Sequence, residues 1–238
     1  MTEVFQVPAV IGHSLARTLS DRIIYLDLPP GTRLGEDELC AEYHVSRSPV
    51  REAFRSLEAD GLVVRSVRRG VRVAPMGRRD LREVYACRVM LEGLAAREAA
   101  TNATAEDLER LRALIDSMAH ALKRRQNRPF FDSNVAFTNA IHAASANQTL
   151  IRIAAGIEKQ ALRYRYLAHS KTPEMRETAF EGHRQVFEAV IRGDAAAAER
   201  AGQASMRRAH AVILKVVEAQ WPADAETAGE PVRWDAAI

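Results

Sequence analysis

The sequence predicts a mainly α-helical protein, with a small winged helix-turn-helix at the N-terminus followed by an all-helical domain. Ala, Leu, Arg and Glu are abundant and aromatic residues make up only 6%, a composition that favours helices. Apolar residues recur at helical spacing through most of the 238 residues. The exception is residues 62–73, where two β-branched runs flank a basic turn and predict a two-stranded hairpin.

Three helices are predicted before this hairpin. The first spans about residues 9–26 and is stopped by residues 28–31, because the two prolines there cannot continue a helix. The second spans residues 36–43. The third begins at Ser46, whose hydroxyl can cap the first turn. Only residues 44–45 separate the last two helices, which is the tight link of a helix-turn-helix.

The charges of this unit are unevenly distributed. Residues 1–43 carry three Arg and seven acidic residues, a net charge of −4. Residues 44–76 carry seven Arg and three acidic residues, a net charge of +4. A compact basic block suits an anionic partner such as nucleic acid, although an unevenly charged solvated surface would show the same pattern.

The third helix carries the chemistry expected of a DNA reader. Its apolar residues share one side, which must pack on the first two helices. On another side arginines repeat every fourth residue, at Arg47, Arg51 and Arg55, and Ser46 and Ser48 lie near the start. Arginine can bind guanine through two hydrogen bonds and a serine hydroxyl can bind phosphate, so this face fits a major groove.

Two stretches resemble the signature of the GntR family of regulators, over roughly residues 10–76: LPPGTRLGEDEL at 28–39 and VSRSPVREAFRSLEADGLV at 45–63. The resemblance implies a homodimer that reads a short inverted repeat in double-stranded operator DNA. It also implies the positions of the DNA contacts, on the third helix and at the basic tip of the hairpin: Ser46, Arg47, Ser48, Arg51, Arg69 and Gly70.

The rest of the chain is predicted to be helical. From residue 78 to about residue 221 no strand is indicated, and about six helices follow one another. Residues 75–77, Pro-Met-Gly, are predicted to be an interdomain linker. The expected domains are therefore a DNA-binding domain, a helical effector-binding and dimerisation domain, and a flexible tail: residues 1–76, 77–222 and 223–238.

Residues 84–96, 137–147 and 183–194 resemble the FadR-type subgroup of the same family, which carries an FCD effector domain. The resemblance implies an antiparallel helical bundle that binds a small-molecule effector. In many members it also implies a divalent metal, held by an Asp or Asn, a His one turn later, and two further His.

The metal pattern is incomplete in this sequence. Asn134 is followed one turn later by Thr138, His183 stands at one imidazole position, and Ser205 stands at the last. One imidazole, one amide and two hydroxyls are a poor site for Zn, Ni or Mn. No cofactor is therefore expected, and Asn134 and His183 are the candidate ligands if a metal is bound. Two other histidines could substitute only if the helices shift: His142 and His210.

A metal-free polar pocket is expected instead, lined by Arg88, Asn134, Thr138, His183 and Ser205. Arg88 interrupts an apolar helical stripe and should point inward, where it needs an anion. That anion is either Glu92, in a structural ion pair, or the carboxylate of a ligand. Arg163 and Arg165 are expected at the surface.

These features predict a ligand-responsive transcription regulator, a repressor of a small-molecule catabolic operon that responds to a small organic acid or sugar acid. A metal hydrolase would need the missing ligands and a general base, so an enzyme is not expected. An architectural DNA-binding protein would not need the inward polar residues. No signal peptide or membrane span is seen, and Cys40 and Cys87 are expected to be buried thiols, so a cytoplasmic protein is predicted.

Overall fold

The computed structural model describes residues 8–66 and 70–220. Over these residues the chain is mainly helical with one small sheet, which confirms the predicted fold class. The elements in chain order are α1 (Pro8–Ile24), β1 (Arg33–Leu34), α2 (Glu36–Tyr43), α3 (Arg47–Ala59), β2 (Val63–Ser66), β3 (Gly70–Val73), α4 (Arg78–Asn102), α5 (Ala105–Lys123), α6 (Asn127–Ala144), α7 (Gln148–Lys171), α8 (Pro173–Ile191) and α9 (Ala195–Gln220).

The first three helices form the helix-turn-helix around their own apolar core. The inner face of α3 packs on α1. Its side chains Val50, Phe54 and Leu57 are completely buried there. His44 adopts the left-handed conformation (φ +53°) between α2 and α3 and ends α2. This one left-handed residue reverses the chain within the short predicted link, so the outer face of α3 remains open to solvent.

The wing is larger than predicted. β2 and β3 pair antiparallel as the expected hairpin, but β1 adds a third strand, with Arg33 opposite Arg72 and Leu34 opposite Val71. The predicted hairpin is confirmed, and β1 was not predicted because a two-residue strand is too short to show alternation in the sequence. Residues 67–69, and with them Arg69, lie outside the described residues.

The second unit is a bundle of the six helices α4–α9. Links of one to three residues join successive helices, so neighbours run in opposite directions. α9 packs against both α4 and α8. No strand occurs between residues 78 and 220, as predicted. The predicted domain boundaries stay predictions, and the residues after 220, with the predicted tail, are not described.

One side chain of α4 lies on the other side of the helix from the one expected. Cys87 is exposed, because the buried face of α4 follows Tyr85, Arg88 and Glu92 instead. Cys40, in α2, is half-buried. The prediction of a buried thiol was therefore wrong for Cys87. None of the described helices is both long and apolar enough to cross a bilayer.

Candidate DNA interface and ligand site

The predicted DNA-reading residues of α3 share one exposed surface. Ser46 occupies the N-cap position, and its hydroxyl makes no capping hydrogen bond, unlike the role expected for it. Ser46, Arg47, Ser48 and Arg51 are all exposed, on the side opposite the buried core of α3. Gly70 is exposed at the start of β3 with φ +70°, a conformation that favours glycine.

Two of these arginines are held by acidic residues at the start of α2. Arg47 lies 2.9 Å from a carboxylate oxygen of Asp37, and Arg51 lies 3.0 Å from one of Glu36. Exposed ion pairs of this kind stabilise a protein by about 0–1 kcal/mol. DNA can therefore replace the carboxylates at small cost.

A surface groove runs beside the outer face of α3 and reaches β2. Arg51, Arg55 and Arg65 line it together with Glu36 and Glu58. Arg55 and Arg65 are thus placed next to the predicted contact residues, on the side of the wing. The groove extends the basic surface beyond the residues that the sequence singled out.

The predicted ligand residues lie inside the bundle. Arg88, Asn134, Thr138, His183 and Ser205 are each no more than 6% exposed. A cavity of about 20 Å³, enough for a single water, is lined by Thr138, His183 and Ser205 as expected, and also by Glu92. Arg88 and Asn134 do not line this cavity. They belong instead to a neighbouring network of charged side chains.

This network, hereafter the buried polar cluster, joins α4, α6 and α7. Arg88 lies 2.8 Å from Glu92 and 3.0 Å from Glu158. Arg165 pairs with the other oxygen of Glu158 and donates to Asn134 Oδ1. The cluster is completed by a 2.9 Å contact between His142 Nε2 and Glu92. Its members are Arg88, Glu92, Asn134, His142, Glu158 and Arg165.

Arg88 has one of the two anionic partners considered for it. It points inward as predicted and takes part in a structural ion pair with Glu92. The surface location predicted for Arg163 and Arg165 was wrong, since their exposed fractions are 1% and 4%. Arg165 lies one helical turn after the buried Ala161, and Glu158 lies three residues before it. Tracing helical spacing from Ala161 would have placed both inside.

Several buried polar atoms around the cluster have no hydrogen-bond partner among the described residues. They include Arg88 Nε and Nη1, Tyr85 Oη, His183 Nε2 and both ring nitrogens of His169. A buried polar atom without a partner costs about 1–3 kcal/mol. The bundle therefore retains hydrogen-bonding capacity that water or a ligand can fill.

The surroundings of the buried histidines shift their pKa values in different directions. Burial, and then the charge of Arg165, lower the pKa of His183 to about 3. Burial lowers the pKa of His169 well below its usual value in the same way. Burial alone would also lower the pKa of His142, but the hydrogen bond and charge of Glu92 outweigh it and raise that pKa. His183 and His169 are consequently neutral imidazoles at neutral pH.

A pH-dependent stability follows from His183. Because its pKa is lower in the folded chain than the unfolded value of about 6.5, the unfolded chain takes up protons first and stability falls as pH falls below about 6.5. From pH 7 to pH 5.5 we expect His183 to contribute a loss of about 1 kcal/mol. The measurement is urea unfolding of the wild type and His183→Gln at both pH values. An equal loss in both proteins would contradict the assignment.

The residues at the predicted metal positions do not fit a divalent ion. Asn134 Oδ1, the oxygen that would bind the metal, accepts a hydrogen bond from the Arg165 guanidinium. Thr138 donates its hydroxyl to the backbone oxygen of Asn134 at 3.3 Å. In the described part of the chain, no three His, Cys, Asp or Glu residues are grouped so that they could hold a metal.

Two family models match the chain. "Bacterial regulatory proteins, gntR family" matches residues 12–73, and "FCD domain" matches residues 83–208, more than half of the sequence. The chain belongs to the GntR family and carries an FCD domain. The family consists of transcription regulators, which is consistent with the prediction that this regulator is not an enzyme.

Curated relatives agree with this assignment. The regulator is 34% identical to a protein of Paenarthrobacter nicotinovorans named as a probable D-xylose utilization operon transcriptional repressor, over 73% of its own length and 76% of the relative's. It is 29% identical to the HTH-type transcriptional repressor RspR of Escherichia coli K12, over 80% and 83% of the two lengths.

Solved structures share the fold. Escherichia coli McbR/YncC superimposes with a TM-score of 0.75 over 86% of the regulator and 97% of that chain. Its 23% identity supports the fold alone. A transcriptional regulator GntR from Rhodococcus sp. RHA1 gives a TM-score of 0.70, at 25% identity and the same coverage.

Proposed function

We propose that this regulator represses a small-molecule catabolic operon by binding an inverted-repeat operator as a homodimer, and that a small organic acid or sugar acid changes its affinity for DNA. The observation that carries the proposal is the exposed row of Arg47 and Arg51 on α3, backed by a fully buried inner face. The relative named for D-xylose utilization supports a catabolic target.

The unpartnered donors of the bundle support an acidic ligand. Arg88 Nε and Nη1 can only donate hydrogen bonds, and the Arg88 guanidinium lies 5.4 Å from the centre of the Tyr85 ring, whose hydroxyl also has no partner among the described residues. A carboxylate supplies the missing acceptors. Thr138, His183 and Ser205 around the cavity suit ligand hydroxyls. We therefore propose a site that works without a metal. Because the cavity holds about one water, the ligand must widen it.

Helix α7 offers a route from this site to the DNA-binding unit. Glu158 and Arg165 belong to the buried polar cluster. Between them, Lys159 lies 2.6 Å from Asp60 at the end of α3, and Arg163 donates to the backbone oxygen of Ala74 after the wing at 2.8 Å. A ligand that displaces Glu158 would act on the same helix that holds the wing and α3. It shifts DNA affinity only if it binds two arrangements of α7 unequally.

The direct test is binding to the DNA upstream of the regulator's own gene. We expect sequence-selective binding at nanomolar to micromolar protein that weakens as salt rises, because phosphate contacts release counterions. Sugar acids and small carboxylates that raise the melting temperature of the regulator should then change this affinity. Equal binding to a scrambled duplex would contradict the proposal that the regulator recognises this operator by its sequence.

We propose that the second copy binds along α4 and α7. These helices lie side by side, joined by Arg88 and Glu158, and both carry exposed large apolar residues. Met90 is 63% exposed and Ile153 is 50% exposed. Contiguous apolar patches mark interfaces, and we propose that these side chains form one. Because α4 follows directly from the wing, a contact here would set two DNA-binding units next to each other.

A charge on this face should prevent dimerisation. We expect Met90→Glu to sediment as a monomer at concentrations where the wild type is a dimer, because the new carboxylate would be desolvated in the contact. The measurement is analytical ultracentrifugation. Ile191→Glu is the matched control, since Ile191 is also exposed (41%) but lies at the end of α8. Dissociation by the control alone would place the interface elsewhere.

A further inference from the structure

We infer that Arg165 serves as a permanent internal cation of the ligand site and excludes a divalent metal ion from it. The inference deepens the proposed function. Its relevance to ligand recognition rests on that function. It starts from the position of the guanidinium, which bonds to Asn134 Oδ1 with one nitrogen and pairs with Glu158 through another. A metal at Asn134 would have to displace this group.

The surroundings of Arg165 have metal-binding atoms to spare. His183 Nε2 and both nitrogens of His169 have no hydrogen-bond partner in the described structure. Neutral imidazole nitrogens are good ligands for Zn, Ni and Mn. The lack of a metal site at this position therefore does not come from a lack of nitrogen donors.

The charge of Arg165 accounts for the exclusion. Its guanidinium bonds to Asn134 Oδ1, and its charge would oppose a divalent ion at the same oxygen, because the repulsion scales with the charge of the ion. Among the described residues, Glu158 is the one carboxylate that pairs with it directly, and Glu158 is shared with Arg88. Since Arg165 is 4% exposed, water screens this repulsion little.

A cation built into the chain differs from a metal ion in two respects. A guanidinium is always charged and offers donors in fixed directions, so it selects planar acceptors such as carboxylates. It is also part of α7, whose neighbouring Arg163 and Tyr164 donate hydrogen bonds to the backbone oxygens of Ala74 and Gly77, between the wing and α4. An acid bound to Arg165 therefore acts on α7 itself.

The test introduces metal-binding side chains at three positions, in one protein that keeps Arg165 and in another that lacks it. The triple variant Asn134→Asp, Thr138→His, Ser205→His supplies a carboxylate and two imidazoles beside His183. We expect it to bind zinc at least 100-fold more weakly than the same variant with Arg165→Gln added, which removes the charge and keeps a donor. Zinc retained after equilibrium dialysis is measured by mass spectrometry, and circular dichroism checks the helical content of each protein.

Each outcome is informative. Tight zinc binding only in the variant that lacks Arg165 supports the inference. Equal binding in both proteins, or binding in neither, overturns it, as does stoichiometric zinc in the wild type. If the Gln variant does not fold, Arg165→Met replaces it. Zinc binding is read without DNA or ligand, so the inference can fail while the proposed repressor function stands.

Discussion

Glu158→Ala is expected to lower the free energy of unfolding by about 3–5 kcal/mol, as for other buried ion pairs that lose one partner. Glu158 is 8% exposed and its carboxylate pairs with both Arg88 and Arg165. Its removal would leave Arg165 without a carboxylate partner and Arg88 with Glu92 alone. The buried polar cluster would then carry an uncompensated positive charge.

Urea unfolding followed by circular dichroism measures this loss. Glu177→Ala is the matched control, because Glu177 is exposed on α8, and such surface changes cost about 0.5 kcal/mol or less. A loss below about 1 kcal/mol for Glu158→Ala would mean that water enters the cluster and screens its charges.

Arg47→Ala is expected to weaken binding to the operator by about 1–3 kcal/mol, or roughly 5- to 150-fold, as for the loss of a good base contact. The side chain is exposed at the start of α3, and its present partner Asp37 holds it only weakly. Binding to a scrambled duplex should fall much less, because only specific binding uses the base edge.

Fluorescence anisotropy with operator and scrambled duplexes at several salt concentrations separates the two effects. Arg110→Ala is the control, since it removes the same charge from the exposed surface of α5. If both variants lose the same affinity, Arg47 contributes only to the net charge of the regulator.

The sequence predicted the structure best where the spacing of side chains along a single helix determines which of them are buried. The inner residues of α3, such as Phe54, must be buried, so the outward position of Arg47 followed from helical spacing alone. Strand β1 could not be predicted, because its two residues are strand-like only through pairing with β3. Pairing between distant segments leaves no local pattern.

The ligand site was harder to predict for a related reason. Asn134 and His183 were found because they stand at the metal positions of the family that the sequence resembles, and Arg88 because it interrupts an apolar stripe; all three are buried. Arg165 was misplaced because a charged residue is normally taken to be exposed. Its burial depends on Glu158 and on Asn134, which lies on another helix. Only the packing of α6 against α7 brings these partners together.

The contacts of α7 also limit how this protein can change during evolution. Lys159 and Arg163 contact the DNA-binding unit, while Glu158 and Arg165 face the bundle interior. One residue inserted between Lys159 and Arg163 would turn Glu158 and Lys159 by about 100° relative to Arg163 and Arg165, and would therefore disrupt both sets of contacts at once. New ligand preferences in this lineage should therefore arise by substitution along α7, whereas its length should be kept.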